Sequence, residues 1–209
     1  MTNPTNTTTT YEVPTWNQIY RMLLRQSKKI QRSLYKPDLI IGITNGGTVP
    51  TRILTDLLQI PQTTTINIKS YTNINQLNTR PMLKQHLSIP INDKKILIVD
   101  DISDSGQTLK TAKHHLIEKG ATETKTATLY TKPVTKTRPD FTEKITHHWI
   151  VFPWEIKETI QNILQQQKDK QTTINTEFAK LIKAGLPKHL IKQIIKTIPD
   201  AQQLDTTLL

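Results

Sequence analysis

Apolar positions recur at helical spacing over residues 15–35, at Trp16, Ile19, Tyr20, Leu23, Leu24 and Ile30, and Pro37-Asp38 ends the pattern. The unbroken aliphatic run LIIGIT at 39–44 predicts a buried strand, and TVPTRILTDLLQI at 48–60 a helix stopped by Pro61. TTINIKSY alternates and is rich in β-branched residues, which predicts a strand. Residues 72–95 scatter Asn, Gln and Pro without a clean period; so long a stretch predicts a functional lid or a surface loop. Beyond it, KILIVD predicts a strand and QTLKTAKHHLIEKG a helix closed by Gly120. TKTATLYT predicts another strand, and HHWIVF the last strand of the core. Strands alternating with helices make an α/β fold, a mostly parallel sheet with helices on its faces.

From Glu155 the pattern turns helical. EIKETIQNILQQQKDKQ, INTEFAKLIKAG and PKHLIKQIIKTI predict three helices, with Gly185 and Pro187 as punctuation. The opening MTNPTNTTTTYEVP has neither a basic nor an apolar region, so it predicts a disordered arm rather than a secretory signal. The expected organisation is an arm at 1–13, an α/β domain at 14–156 with a lid at 72–95, and a helical extension at 157–209. The 209 residues contain no cysteine, which removes disulfides and thiolate metal sites. No apolar run approaches the roughly 18 residues that span a bilayer, so a cytoplasmic protein without membrane partners is expected. The net charge is +11, with 20 Lys+Arg against 11 Asp+Glu before Glu155 and 8 against 6 from it onward. A basic surface suits an anionic partner, either nucleic acid or a phosphorylated small molecule, or it simply sets solubility.

The strand KILIVD runs into Asp100 and Asp101, then into the small-residue loop ISDSGQT. Ligands of an open parallel sheet bind beyond the carboxyl ends of its strands. The helix that follows offers unpaired N–H groups and a positive partial charge. Gly106 allows close backbone approach, while Ser103, Ser105 and Thr108 add hydroxyls, so the loop suits a phosphate monoester. Adjacent carboxylates suit vicinal hydroxyls or a divalent cation bound to them. A sugar phosphate meets both demands. A second strand–turn–helix, LIIGITNGGTVPTRIL, places Gly46 and Gly47 where glycine permits positive φ and close anion approach.

The run ILIVDDISDSGQTL resembles the phosphoribosyl-diphosphate signature of the type I phosphoribosyltransferases. The resemblance implies their fold, a central sheet flanked by helices with a small hood, here carrying an α-helical C-terminal extension. It implies that Asp100 and Asp101 hold the ribose, with Mg²⁺ bound directly or through hydroxyls and water. Ser103, Asp104, Ser105, Gly106, Gln107 and Thr108 would hold the 5-phosphate. Asn45, Gly46 and Gly47 would bind the leaving pyrophosphate, and Asn45 stands where purine-using relatives usually carry a basic residue. Lys69, or Arg80 or Lys84, would supply that charge; Lys69 could equally be a surface lysine at a strand end.

TLYTKP and HHWIVFPWE resemble the purine-binding segments of compact microbial xanthine-guanine and hypoxanthine-guanine enzymes. By that resemblance Lys132 reaches the 6-oxo oxygen, Trp149 stacks on the base and the Ile150 main chain bonds its edge. Phe152 and Trp154 are expected in the core. Asp104 would face the purine N7 and manage its proton, or cap the next helix. His114-His115 on a helix and His147-His148 on an expected strand point apart, which excludes zinc chelation by either pair. The implied activity is transfer of ribose 5-phosphate from phosphoribosyl diphosphate to guanine, hypoxanthine or xanthine, by a homodimer or homotetramer. The alternatives are a non-purine acceptor, or a regulator that senses the donor and binds nucleic acid through KAGLPKHLIKQIIK. The tail's small charge surplus, and a Lys132 and Trp149 left without purpose, disfavour nucleic acid.

Overall fold

The computed structural model describes residues 10–71, 80–83, 87, 89–166 and 171–199. The chain divides into two compact units, Ile19–His147 and Met1–Gln18 with His148–Leu209.

The first unit is built on a six-stranded sheet. Its strands are β2 (Leu39–Thr44), β3 (Thr63–Tyr71), β4 (Arg80–Leu83), β5 (Lys95–Ser103), β6 (Glu123–Thr131) and β7 (Phe141–Ile145), in the order β4-β3-β2-β5-β6-β7. All pairings are parallel except β3 with β4. Three helices accompany it: α1 (Trp16–Arg32), α2 (Thr48–Leu58) and α3 (Gln107–Glu118). Two-sided cover is why β2 reads as a continuous aliphatic run. Its Leu39, Ile41 and Ile43 join Ile66, Ile68, Ile96 and Ile98 and the α3 residues Leu109, Ala112 and Leu116 in one core. Gly42, on the other face, lies against Thr51 of α2.

Two strands depart from the sequence expectation. The last strand of the sheet is β7, not HHWIVF. It is an edge strand with no buried residue, so the apolar run that marks a central strand is missing. It is held instead by polar ties. Arg25 and Lys29 of α1 reach the buried Glu143 carboxylate at 3.0 and 2.7 Å. Asp140, just before it, accepts the Thr126 N–H and hydroxyl, each at 2.8 Å. The second departure is β4, inside the stretch expected to have no structure. Its register sets Lys69 opposite Met82 and Tyr71 opposite Arg80. Of the rest of the expected lid, residues 72–79, 84–86 and 88 lie outside the described residues, as does most of the N-terminal arm.

In the second unit β1 (Tyr11–Glu12) pairs in parallel with β8 (Trp149–Ile150). Helices α4 (Ile156–Gln166), α5 (Gln171–Lys183) and α6 (Lys188–Ile195) share a core of Val151, Ile160, Ile163, Phe178, Leu181, Leu186, Ile191 and Ile195. Helices α4 and α6 fall within the predicted spans, whereas α5 begins at Gln171, before the span INTEFAKLIKAG predicted for it. Gly185, at φ +108°, turns the chain between α5 and α6. Phe152 stacks on Trp154 at 4.8 Å, and Trp16 lies 5.7 Å from Trp154. Tyr11 donates a 2.6 Å hydrogen bond to Glu177 of α5, tying the N-terminal segment to the helices.

Candidate active site

β5 extends past the paired acids to Ser103, so Asp100 and Asp101 are strand residues whose side chains leave on opposite faces. Asp101 is only 5 % exposed, and Gly46 packs directly against its carboxylate. Asp100 is half-buried and accepts the Asp101 N–H at 3.0 Å. Past the strand, Ser103 is buried while Asp104 and Ser105 are exposed. Gly106 occupies the N-cap of α3 at φ +81°, ψ −1°, with no side-chain cap bond. The expectation that Asp104 might cap this helix is therefore corrected: the cap lies two residues later. Ser105 Oγ accepts the Gln107 N–H at 3.3 Å, and Thr108 is half-buried in the first turn.

The β2–α2 turn supplies the second wall. The Thr44–Asn45 peptide is cis, Asn45 is exposed, and Gly47 caps α2 at φ −69°, ψ −10°. Neither turn glycine has positive φ, which corrects the conformational reason given for them. Space decides instead. A methyl on Gly47 would lie 2.7 Å from the Ile43 carbonyl oxygen, and one on Gly46 would enter the Asp101 carboxylate. At the end of the β2–β3 ladder, Thr44 faces Asn67, and both Thr44 Oγ1 and Asn67 Oδ1 are buried without a hydrogen-bond partner among the described residues. The Lys69 backbone belongs to β3, but its side chain, like those of Arg80 and Lys84, lies outside what is described.

A third segment was legible in the sequence only at Lys132 and Pro133. Residues 132–137 follow β6 and lie along the loop at 103–106. The Thr135 hydroxyl bonds the Ser103 carbonyl at 2.8 Å and also the Asp104 carbonyl. The Lys136 N–H donates to Ser105 O at 3.2 Å, and Thr137 abuts Gly106 so closely that a methyl there would lie 2.7 Å from the Thr137 carbonyl oxygen. Beyond Pro133 only a threonine-rich turn marked this segment, and such a turn has no period to read.

Of the expected base-side residues, Lys132 opens that segment, half-buried, with its Nζ 3.3 Å from the His147 carbonyl oxygen. Trp149 and Ile150 belong to the other unit. Trp149 is 60 % exposed, so its indole face is available; Ile150 is buried in β8. Phe152 is buried, as expected, and Trp154 half-buried. His147 and His148 lie on a bend rather than a strand. Among the described residues no group of three or more His, Cys, Asp or Glu could hold a metal ion. A carboxylate is a hard oxygen donor of the kind Mg²⁺ takes, and because these two leave β5 on opposite faces they would share one ion only through substrate hydroxyls and water.

Comparison with known proteins agrees with this geometry. The phosphoribosyl transferase domain family matches residues 12–161. The chain is 32 % identical over 144 residues to a xanthine-guanine phosphoribosyltransferase of Nitratidesulfovibrio vulgaris, covering 68 % of this chain and 82 % of the relative. It is 33 % identical over 151 residues to one of Desulfotalea psychrophila, covering 70 % and 86 %. Among solved structures it resembles a purine phosphoribosyltransferase from Pyrococcus horikoshii, at 35 % identity and a TM-score of 0.62, covering 69 % of this chain and 93 % of that one.

Proposed function

This chain belongs to the phosphoribosyl transferase domain family, and from that premise we propose that it is a purine-salvage enzyme, moving ribose 5-phosphate from phosphoribosyl diphosphate to a 6-oxopurine with release of pyrophosphate. The observation that carries the reading is the end of β5, where a buried and a half-buried carboxylate precede a hydroxyl loop that turns through Gly106 into α3. The loop of Ser103 to Thr108 would hold the 5-phosphate at the helix N-terminus. Asp100 and Asp101 would orient the ribose hydroxyls. The backbone at Asn45, Gly46 and Gly47 would receive the pyrophosphate, with Lys69 the candidate cation. Lys132 would donate a hydrogen bond to the 6-oxo oxygen, which rejects adenine because the amino group there is itself a donor. Trp149 would stack on the base and the Ile150 main chain would bond its edge. Asp104, exposed beside the phosphate loop, would hold the N7 proton. Asp100 and Asp101 would meet Mg²⁺ through ribose hydroxyls and water, and the bound ion would supply positive charge against the leaving group.

The finer proposals are a cytoplasmic homodimer or homotetramer with transfer assigned to residues 14–156. No helix among the described residues is long and apolar enough to cross a membrane, which is compatible with that location. The test is pyrophosphate release with the donor and Mg²⁺ against guanine, hypoxanthine, xanthine, adenine and uracil separately. Turnover with one or more 6-oxopurines and none with adenine is expected. Donor binding without turnover on any base would overturn the salvage reading and favour a sensor.

A further inference from the structure

The β5–β6 ladder does not stop where its strands stop. Its last registered pair is Ser103 with Thr131. Beyond that pair the Lys132 N–H donates to the Ser103 carbonyl at 2.8 Å, and the Lys136 N–H to the Ser105 carbonyl at 3.2 Å. Between them the Thr135 hydroxyl, on a residue 8 % exposed, is shared by the carbonyls of Ser103, at 2.8 Å, and Asp104. Three consecutive carbonyls, those of residues 103, 104 and 105, are thus drawn toward the 132–137 segment.

A trans peptide is planar, with its N–H directed opposite to its C=O. Thr44–Asn45 is the one cis bond among the described residues, so the peptides of this loop are trans. The N–H groups of Asp104, Ser105 and Gly106 therefore turn away from the 132–137 segment, all to one side. Successive N–H groups so arranged make an anion-binding concavity. It adjoins the N-terminus of α3, whose free donors and dipole favour the same charge.

We infer that Thr135 is a positioning residue for the phosphate site: by holding the Ser103 and Asp104 carbonyls it keeps three backbone donors aimed at the 5-phosphate of the sugar. The inference rests on the proposed phosphoribosyl site and adds what orients its loop. Thr135 acts through that loop rather than on the substrate. Because Lys132 opens the same segment, the proposed base-side lysine and the phosphate loop share one brace.

The experiment titrates ribose 5-phosphate into wild-type, Thr135→Val and Thr135→Ser proteins by calorimetry, alongside steady-state kinetics. Valine keeps the shape and removes the hydroxyl, so ribose 5-phosphate binding is expected to weaken about tenfold, with serine restoring it. The KM for phosphoribosyl diphosphate should rise more than kcat falls. A second measurement uses the wild-type protein alone: the amide resonances of Asp104, Ser105 and Gly106 should shift on adding ribose 5-phosphate. Wild-type-like binding by Thr135→Val, or three unmoved amides in a protein that binds the ligand, would overturn the inference while leaving the site reading intact. Failure of the wild type to bind ribose 5-phosphate would instead overturn the phosphate site itself, and the inference with it.

Discussion

Gly46 meets the Asp101 carboxylate so closely that the β2–α2 turn, proposed to receive pyrophosphate, and β5, proposed to hold the ribose, are adjusted to each other at a single point. Gly46→Ala is expected to push that carboxylate aside. Misplacement by about an ångström costs on the order of a hundredfold in rate, so kcat/KM for the donor should fall by about that factor while thermal stability changes little. Steady-state kinetics with a melting curve checks both halves. Thr44 makes the opposite prediction. Its buried hydroxyl has no partner among the described residues, and a buried polar group left unsatisfied costs about 1–3 kcal/mol. Thr44→Val should therefore stabilise the free protein by about 1 kcal/mol in urea denaturation while raising the donor KM. Asp104→Asn removes the proposed proton carrier and should lower kcat by about 10²–10⁴-fold without loss of donor affinity, measured by binding and turnover together.

At the scale of elements, what the sequence revealed follows from how each segment is buried. β2 and β5 lie at the centre of a covered sheet, so their aliphatic runs were visible, and the paired acids ending one of them marked the site. β7 is an edge strand tied by charges and threonines, and β1 and β8 have two residues each, too few to show a period. Beyond Lys132 and Pro133 the 132–137 segment stayed hidden because it works on the backbone carbonyls of residues 103–105, which no side-chain pattern records. The tie between β1 and α5 is another such contact. Burial alone would raise the Glu177 carboxyl, but hydrogen bonds from Lys180 and Tyr11, with the Lys180 charge, outweigh it and hold the group below its ordinary value of 4.5. A carboxylate depressed on folding contributes stability above its unfolded value and loses it as pH falls through the folded one. The wild type should therefore lose stability as the pH drops below about 4.5, and Tyr11→Phe should flatten that loss. The variant should also melt earlier at neutral pH, by about 1 kcal/mol of stability. Melting curves across the acid range check both.

Over the whole molecule the surplus of positive charge is concentrated before Glu155, at 20 Lys+Arg against 11 Asp+Glu, whereas the helical tail carries 8 against 6. That distribution bears on the choice between an enzyme and a nucleic-acid-binding regulator. A phosphorylated donor with several negative charges is drawn to the more basic part of the chain, and salt screens such attraction beyond a Debye length of about 10 Å at 0.1 M. A neutral purine feels no such field. Raising salt from about 50 to 200 mM should therefore increase the KM for phosphoribosyl diphosphate several-fold while leaving the KM for the base nearly unchanged. The exposed face of α6 and its C-cap presents Lys188, His189 and Lys196, with Lys192 half-buried beside them. If that face gripped a duplex through its three lysines, affinity would fall by about 40-fold over the same salt range, because counterion release gives a slope of about −0.9 per phosphate contact. Fluorescence anisotropy with a labelled duplex should instead show only weak binding, with the Lys188→Gln, Lys192→Gln double variant unchanged in turnover. Tight, steeply salt-dependent duplex binding lost in that variant would shift the assignment of the tail to nucleic acid.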